Sequence, residues 1–245
     1  MTTPYRKDFG RFYDIEELPH VSVTTALDII AKPGLMYWYA SQERKMIFAA
    51  IEAIYEQGPD DTESFLKALS DAIGQKKAAE REGNKAARRG QKSHEAIEKA
   101  LRGDDLPPMD RFDKDVFDAW WTWWKSTGFK VISVNEKPGV EVVVYHKEHQ
   151  FAGTLDCYAK HPRRGLTVLD WKRGKRLYAR YGLQNSAYRK AAETLDMPSD
   201  VGAVVRLTTG EPEIMDCSYE KYPFEKFLSA LDLWRWQYEM EEGKG

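Results

Sequence analysis

Cysteine is nearly absent from this chain. Cys157 and Cys217 are the only two, sixty positions apart and outside any CxxC spacing. That excludes a disulfide framework, a four-cysteine zinc site and a four-thiolate iron–sulfur cluster, and a reducing compartment is the expected setting. Long apolar runs are missing as well. Nowhere do about eighteen consecutive apolar residues occur, the usual minimum for a membrane span, and residues 1–8 hold no apolar stretch of a secretory signal. A soluble, cytoplasmic protein with no membrane partner is expected. Neither charge sign dominates: 37 Lys and Arg stand against 39 Asp and Glu, a formal net charge of −2. Any affinity for a polyanion must then reside in local clusters. No repeat at a fixed period is present, which argues against solenoid arrays.

The 245 residues, 42% hydrophobic and 13% aromatic, suffice for a sizeable core, as one large domain or as one domain with a helical subdomain. Residues 1–20 show no period. Val21-Ser22-Val23-Thr24-Thr25-Ala26-Leu27 opens an ordered segment in which Thr24 or Thr25 is a candidate helix cap. After the Lys32-Pro33-Gly34 break, Leu35, Trp38, Tyr39, Ile47, Ala50, Ile51 and Ile54 recur near helical spacing, and residues 62–73 read as a further helix beyond Gly58-Pro59-Asp60-Asp61. Residues 1–75 are thus expected to form a helical region packed on a core of residues 76–245, as a lid or as plain packing.

Residues 76–101 predict a long helix. Ala87, Gly90, His94, Ile97 and Leu101 are spaced 3, 4, 3, 4, which turns His94 inward with the apolar stripe. Arg81, Lys85, Arg88 and Lys92 form a basic stripe about 100° around from it, either a solvated face or a row of phosphate contacts. Residues 110–127 predict a helix rich in tryptophan, with Phe117, Trp120, Trp121 and Trp124 on one face and Phe112, Val116 and Trp123 on another. Packing on two sides is the favoured reading, and base stacking the alternative. Short β-branched runs follow at 130–134, 140–146, 150–159 and 166–171. A helix returns at 178–195, then strands at 201–207 and 213–219, and last a helix striped by Phe224, Phe227, Leu228, Leu231, Trp234 and Tyr238.

The chemistry concentrates in two of these runs. Leu166 to Asp170 is apolar until its acid, then Trp171 and Lys172 follow, and Asp156 stands fourteen positions upstream at the end of Gly153-Thr154-Leu155-Asp156. A hairpin turn over His161-Pro162-Arg163-Arg164-Gly165 sets the two acids on neighbouring strands, where they can share a hard divalent cation, and period two brings Lys172 to the same face. In the next helix Gln184 and Tyr188 stand one above the other.

His94 on a helix, Glu141 on a strand, the two acid-ended strands with Lys172, and the Gln184–Tyr188 helix occur in that order. The arrangement resembles the RecB-type exonuclease branch of the PD-(D/E)xK nuclease superfamily, which includes CRISPR-associated, phage and mitochondrial genome-maintenance exonucleases. Pro19-His20-Val21-Ser22-Val23-Thr24-Thr25 is similar to an opening segment of several members, and the likeness spans about residues 20–207. It implies a mixed α/β sheet in a restriction-endonuclease-like αβββαβ core. It also implies Mg²⁺ or Mn²⁺, as one or two ions, held by Asp156, Asp170, His94 and the Trp171 carbonyl. Lys172 would orient water and stabilise phosphate charge. Gln184 and Tyr188 would fix the lysine or a phosphate, and Glu141 is either an outer partner or a strand-edge charge. Asp170 replaces the commoner Glu, and the iron–sulfur cysteines of some relatives are missing, so no cluster is expected.

The activity implied is hydrolysis of DNA, exonucleolytic on single-stranded or end-frayed substrate, in recombination, repair or phage DNA metabolism. Arg173, Lys175, Arg176 and Arg180, with the Arg163-Arg164 turn, add basic density for the strand. An endonuclease or flap nuclease of the same superfamily is one alternative. A nucleic-acid-binding or docking subunit without catalysis is another. Taken singly, Asp156 also reads as a strand-end cap, Asp170–Lys172 as a surface pair and His94 as a core histidine.

Overall fold

The computed structural model describes residues 10–58, 61–73 and 78–242. Residues 1–8, the Pro59-Asp60 break and the expected helix start at Lys76 lie outside the described residues. The fold is mixed α/β, with parallel and antiparallel pairing in one sheet. Two compact units emerge: residues 1–30 with 92–245, and residues 31–91.

The first unit holds the sheet. Its strands are β1 (Phe12–Ile15), β2 (Leu18–Ser22), β3 (Lys130–Val131), β6 (Val140–His146), β7 (Phe151–His161), β8 (Gly165–Arg173), β9 (Val201–Leu207) and β10 (Glu213–Cys217), while β4 (Ser133–Val134) and β5 (Lys137–Pro138) form a separate small hairpin. β7 is long enough to carry two partners on each edge. β6 and β3 pair along one edge, and β2 and β8 along the other. β8 continues in parallel with β9, and β10 closes antiparallel on β9.

β1 and β2 escape the sequence reading for a local reason. Their two-residue turn is Glu16-Glu17, with φ of 52° and 64°, left-handed values usually signalled by Asn or Gly. A second left-handed pair, Asn135-Glu136 with φ 48° and 66°, joins β4 to β5. The cap of α1 (Val23–Ala26) is Ser22 rather than Thr24 or Thr25: Ser22 is the residue still in extended geometry, and its Oγ accepts from Thr25 N–H at 3.0 Å.

α5 (Arg111–Thr127) is capped by Asp110, which accepts from Asp113 N–H, and ends at left-handed Gly128. It covers one sheet face together with the end of α4 (Ala78–Arg102). Trp120 and Trp124 meet Trp171 of β8 edge-on at 5.7 and 6.2 Å, in a core that also takes Ile97, Leu169 and Val205. α6 (Ala179–Glu193) and α7 (Phe224–Glu242) cover the other face, where Phe227, Leu231, Ala187 and Tyr188 meet Val144, Phe151 and Leu155.

In the second unit, α2 (Pro33–Glu56) packs along α3 (Thr62–Ile73), and Glu43 accepts from Ala79 N–H at the start of α4. Among the described residues no helix is long and apolar enough to cross a membrane.

Candidate metal centre

The centre sits at a fork in the sheet. β2 leaves β7 after Ala152, and β8 joins it only from Cys157, so residues 153–156 have no strand partner on that edge. The last ladder pair of the hairpin is Cys157↔Leu169, and Asp156 and Asp170 occupy the next positions on the two strands. Asp156 fills the gap with its side chain, Oδ2 accepting from Trp171 N–H at 2.5 Å. A long strand shared unequally by two neighbours thus leaves an opening at its carboxylate.

His94 reaches this opening from α4. Its Nε2 lies 2.9 Å from the Trp171 carbonyl, which can only accept, so Nε2 bears a hydrogen and Nδ1 faces the carboxylates. Nδ1 is 3.5 Å from Asp156 Oδ1 and 3.9 Å from Glu141 Oε1. Glu141 comes from β6 with φ 52°, a left-handed conformation that costs a β-strand residue about 1 kcal/mol or more.

A second group adjoins the first. On β8, Asp170 and Lys172 face α6, while Trp171 and Arg173 face α5. Asp170 is fully buried: its Oδ1 accepts from Lys172 Nζ at 2.9 Å and from Gln184 Nε2 at 3.1 Å. Its Oδ2 is ion-paired with Nζ at 2.7 Å and, among the described residues, accepts no hydrogen bond of its own. Gln184 gives its other N–H to Tyr188 Oη at 3.0 Å. Gly153 makes room for that tyrosine, since a Cβ there would fall 2.2 Å from the ring.

The charges follow from this packing. Burial alone would lower the His94 pKa, but the Asp156 carboxylate outweighs it, and the ring is pushed up to about 10. Burial would raise Asp156, and the His94 and Lys172 cations outweigh that and hold it below the usual carboxylate range. For Asp170 burial prevails over Lys172, and its pKa rises to about 6. Lys172 resists its burial through Asp170 and Asp156, stays above the ordinary lysine value and remains a cation.

Three donors, His94, Glu141 and Asp156, have ligand atoms within 4.8 Å of one another. Ligands about 2.1 Å from a six-coordinate ion lie roughly 3–4 Å apart, so modest side-chain adjustment suits a divalent cation. One imidazole nitrogen and two carboxylates form a mixed donor set, open to several divalent ions. Asp170 lies outside this set, and the Trp171 carbonyl, 2.9 Å from His94 Nε2, orients the imidazole.

The basic residues separate. Arg173 is engaged within the fold: strand alternation turns it toward α5, where Nη1 donates to Asp113 Oδ1 at 2.6 Å and Ser93 Oγ at 2.9 Å. Lys175 and Arg176 are exposed after β8, and Arg180 is half-buried, 4.0 Å from Asp28. Lys92 is exposed in this unit, whereas Arg81, Lys85 and Arg88 are exposed in the other. The sequence reading missed Tyr13, whose hydroxyl meets Thr154 Oγ1 at 3.1 Å on the unpaired stretch; a lone tyrosine in an aperiodic segment carries no signal.

No family model matches this chain, and no curated protein matches it.

Proposed function

We propose that this protein is a divalent-metal-dependent nuclease that hydrolyses phosphodiester bonds of DNA, in the manner of RecB-type PD-(D/E)xK exonucleases, with the cytoplasm as its setting. The observation that carries the reading is the meeting of His94, Glu141 and Asp156 at the strand fork, beside the Asp170–Lys172 pair.

His94, Glu141 and Asp156 would hold the cation, with Asp170 beside them as the partner that fixes Lys172. A bound divalent ion supplies Lewis acidity, withdrawing charge from phosphoryl oxygens and making hydroxide available near neutral pH. Lys172, kept cationic by two carboxylates, donates to a non-bridging phosphate oxygen or to the attacking water and stabilises charge as phosphorus becomes pentacovalent. Gln184 donates to the same Asp170 oxygen as Lys172 and also to Tyr188 Oη, so Lys172 extends from a fixed base. Preference for DNA and for free ends rests on the family resemblance.

The test is digestion of end-labelled linear DNA with Mn²⁺ or Mg²⁺ by wild type and by Asp170→Ala. Wild type is expected to degrade it and the variant to lose at least about a hundredfold. A wild type that degrades nothing, or a variant that degrades equally well, ends the nuclease reading. Cleavage of covalently closed circles would assign an endonuclease instead. Metal-independent binding without cleavage would assign a docking subunit.

A further inference from the structure

The tryptophans of α5 are the residues most suited by type to stack on bases, yet Trp120, Trp123 and Trp124 are buried in the core, and half-buried Trp121 lies under Lys125. The aromatic surface beside the candidate centre is a different one. Tyr178, immediately before α6, is 41% exposed, and Tyr181 in the first turn of α6 is half-buried. Their rings stand at 87° with centroids 5.6 Å apart. Lys172 Nζ lies 5.4 Å from the Tyr181 centroid, so the pair borders the lysine of the centre directly. Arg176 lies over the Tyr178 ring at 4.8 Å and Arg180 over the Tyr181 ring at 5.3 Å.

We propose that the Tyr178–Tyr181 corner is a subsite for one unstacked base of single-stranded nucleic acid, adjacent to the phosphate that Lys172 engages. The proposal rests on the nuclease reading for that phosphate. Perpendicular rings cannot continue a column of stacked bases; they make a corner in which one base lies flat on one ring and meets the other edge-on. A base inside a duplex has both faces covered by its neighbours, so only a single strand or a frayed end offers one. Arg176 now occupies the place of such a base. A surface cation–π contact is weaker than a base–aromatic stack, so Arg176 yields the ring and turns to the backbone phosphate of the same nucleotide. Arg180 already has a carboxylate nearby in Asp28, which leaves Arg176 and Lys175 as the cations for that strand.

Two measurements on the full-length protein test this. The first is the affinity for an oligothymidylate in Ca²⁺, by anisotropy, for wild type, Tyr178→Ala and Tyr178→Phe. The second is cleavage in Mn²⁺ of oligonucleotides carrying a single abasic position at successive distances from the cut. Tyr178→Ala is expected to bind about tenfold more weakly, with Tyr178→Phe close to wild type, because the stack needs the ring and not the hydroxyl. One abasic position is expected to slow wild type about tenfold and to leave Tyr178→Ala unaffected. If wild type binds but never cleaves, the nuclease reading falls while a tenfold loss in Tyr178→Ala still supports the subsite. Cleavage by wild type with equal oligothymidylate affinity in Tyr178→Ala overturns the subsite and leaves the nuclease reading standing. A wild type that neither binds nor cleaves removes both.

Discussion

Replacing Arg173 by methionine separates a structural strut from a phosphate contact. Nη1 of Arg173 sits 2.6 Å from Asp113 Oδ1, and the two side chains are only 10% and 3% exposed, so water screens the pair little. Removing one partner of such a pair costs about 3–5 kcal/mol because the other charge stays buried, and losing the Ser93 hydrogen bond adds about 1 kcal/mol. Methionine fills much of the vacated stem volume and offsets roughly 1–2 kcal/mol. The net expectation is a loss of about 3 kcal/mol. With a urea slope of about 3 kcal/mol/M for a chain of this size, the midpoint falls by about 1 M, read by tryptophan fluorescence. Arg173→Met with Asp113→Leu is expected to recover most of the loss. Because Ser93 precedes His94 on α4, the single variant also weakens Mn²⁺ binding in isothermal titration. Its salt dependence of DNA affinity stays that of wild type, whereas a lost phosphate contact lowers the slope by about one. A stability loss under about 1 kcal/mol, or a slope reduced by one, would refute the strut.

Four further outcomes follow from the same geometry. In EDTA, the raised His94 pKa contributes stability that is complete below pH 6.5 and is lost as pH rises through about 10; thermal melts should show a fall on the order of 2–4 kcal/mol across that window. Raised Asp170 acts in the same sense lower down, its contribution lost as pH climbs through about 6. A cation held by His94 Nδ1 would have to displace its proton, so apparent Mn²⁺ affinity should rise about tenfold per pH unit below the His94 pKa, and a pH-independent titration would contradict the ligand role of Nδ1. Glu141→Gly should relieve the left-handed backbone and raise metal-free stability by up to about 1 kcal/mol while weakening Mn²⁺ binding; equal affinity would remove Glu141 from the centre. Gly153→Ala should cost about 1–3 kcal/mol in a urea melt, since its Cβ would meet the buried Tyr188 ring, and a neutral result would show that the ring moves aside freely.

Much of the architecture is legible from short-range pattern. The β-branched runs at 140–146, 166–171 and 201–207 and the helical spacings of α2, α5, α6 and α7 mark these elements in the sequence, while burial of β8 and β9 on both faces leaves their strands without alternation. β1 and β2 are not legible, because their turn uses Glu-Glu in left-handed backbone and their stability comes from docking rather than pattern. At the centre, inward His94 and the pairing of Asp156 with Asp170 both follow from spacing. Arg173 does not follow from charge density: Lys172 and Arg173 are neighbours of like charge, and only the α5 side of the sheet distinguishes them.

What the sequence determines by itself is therefore the order of elements, the alternation that puts Asp170 and Lys172 on one face, and the chemical character of the residues gathered there. Tertiary structure alone decides that β2 and β8 share one edge of β7 and leave a fork. It decides too that Glu141 is turned toward His94 by a strained backbone, and that the tyrosines after β8, rather than the tryptophans of α5, remain open beside the lysine. The reason is physical: periodicity reports which face of an element is buried, whereas a site depends on where distant elements end relative to one another, which is set by long-range packing.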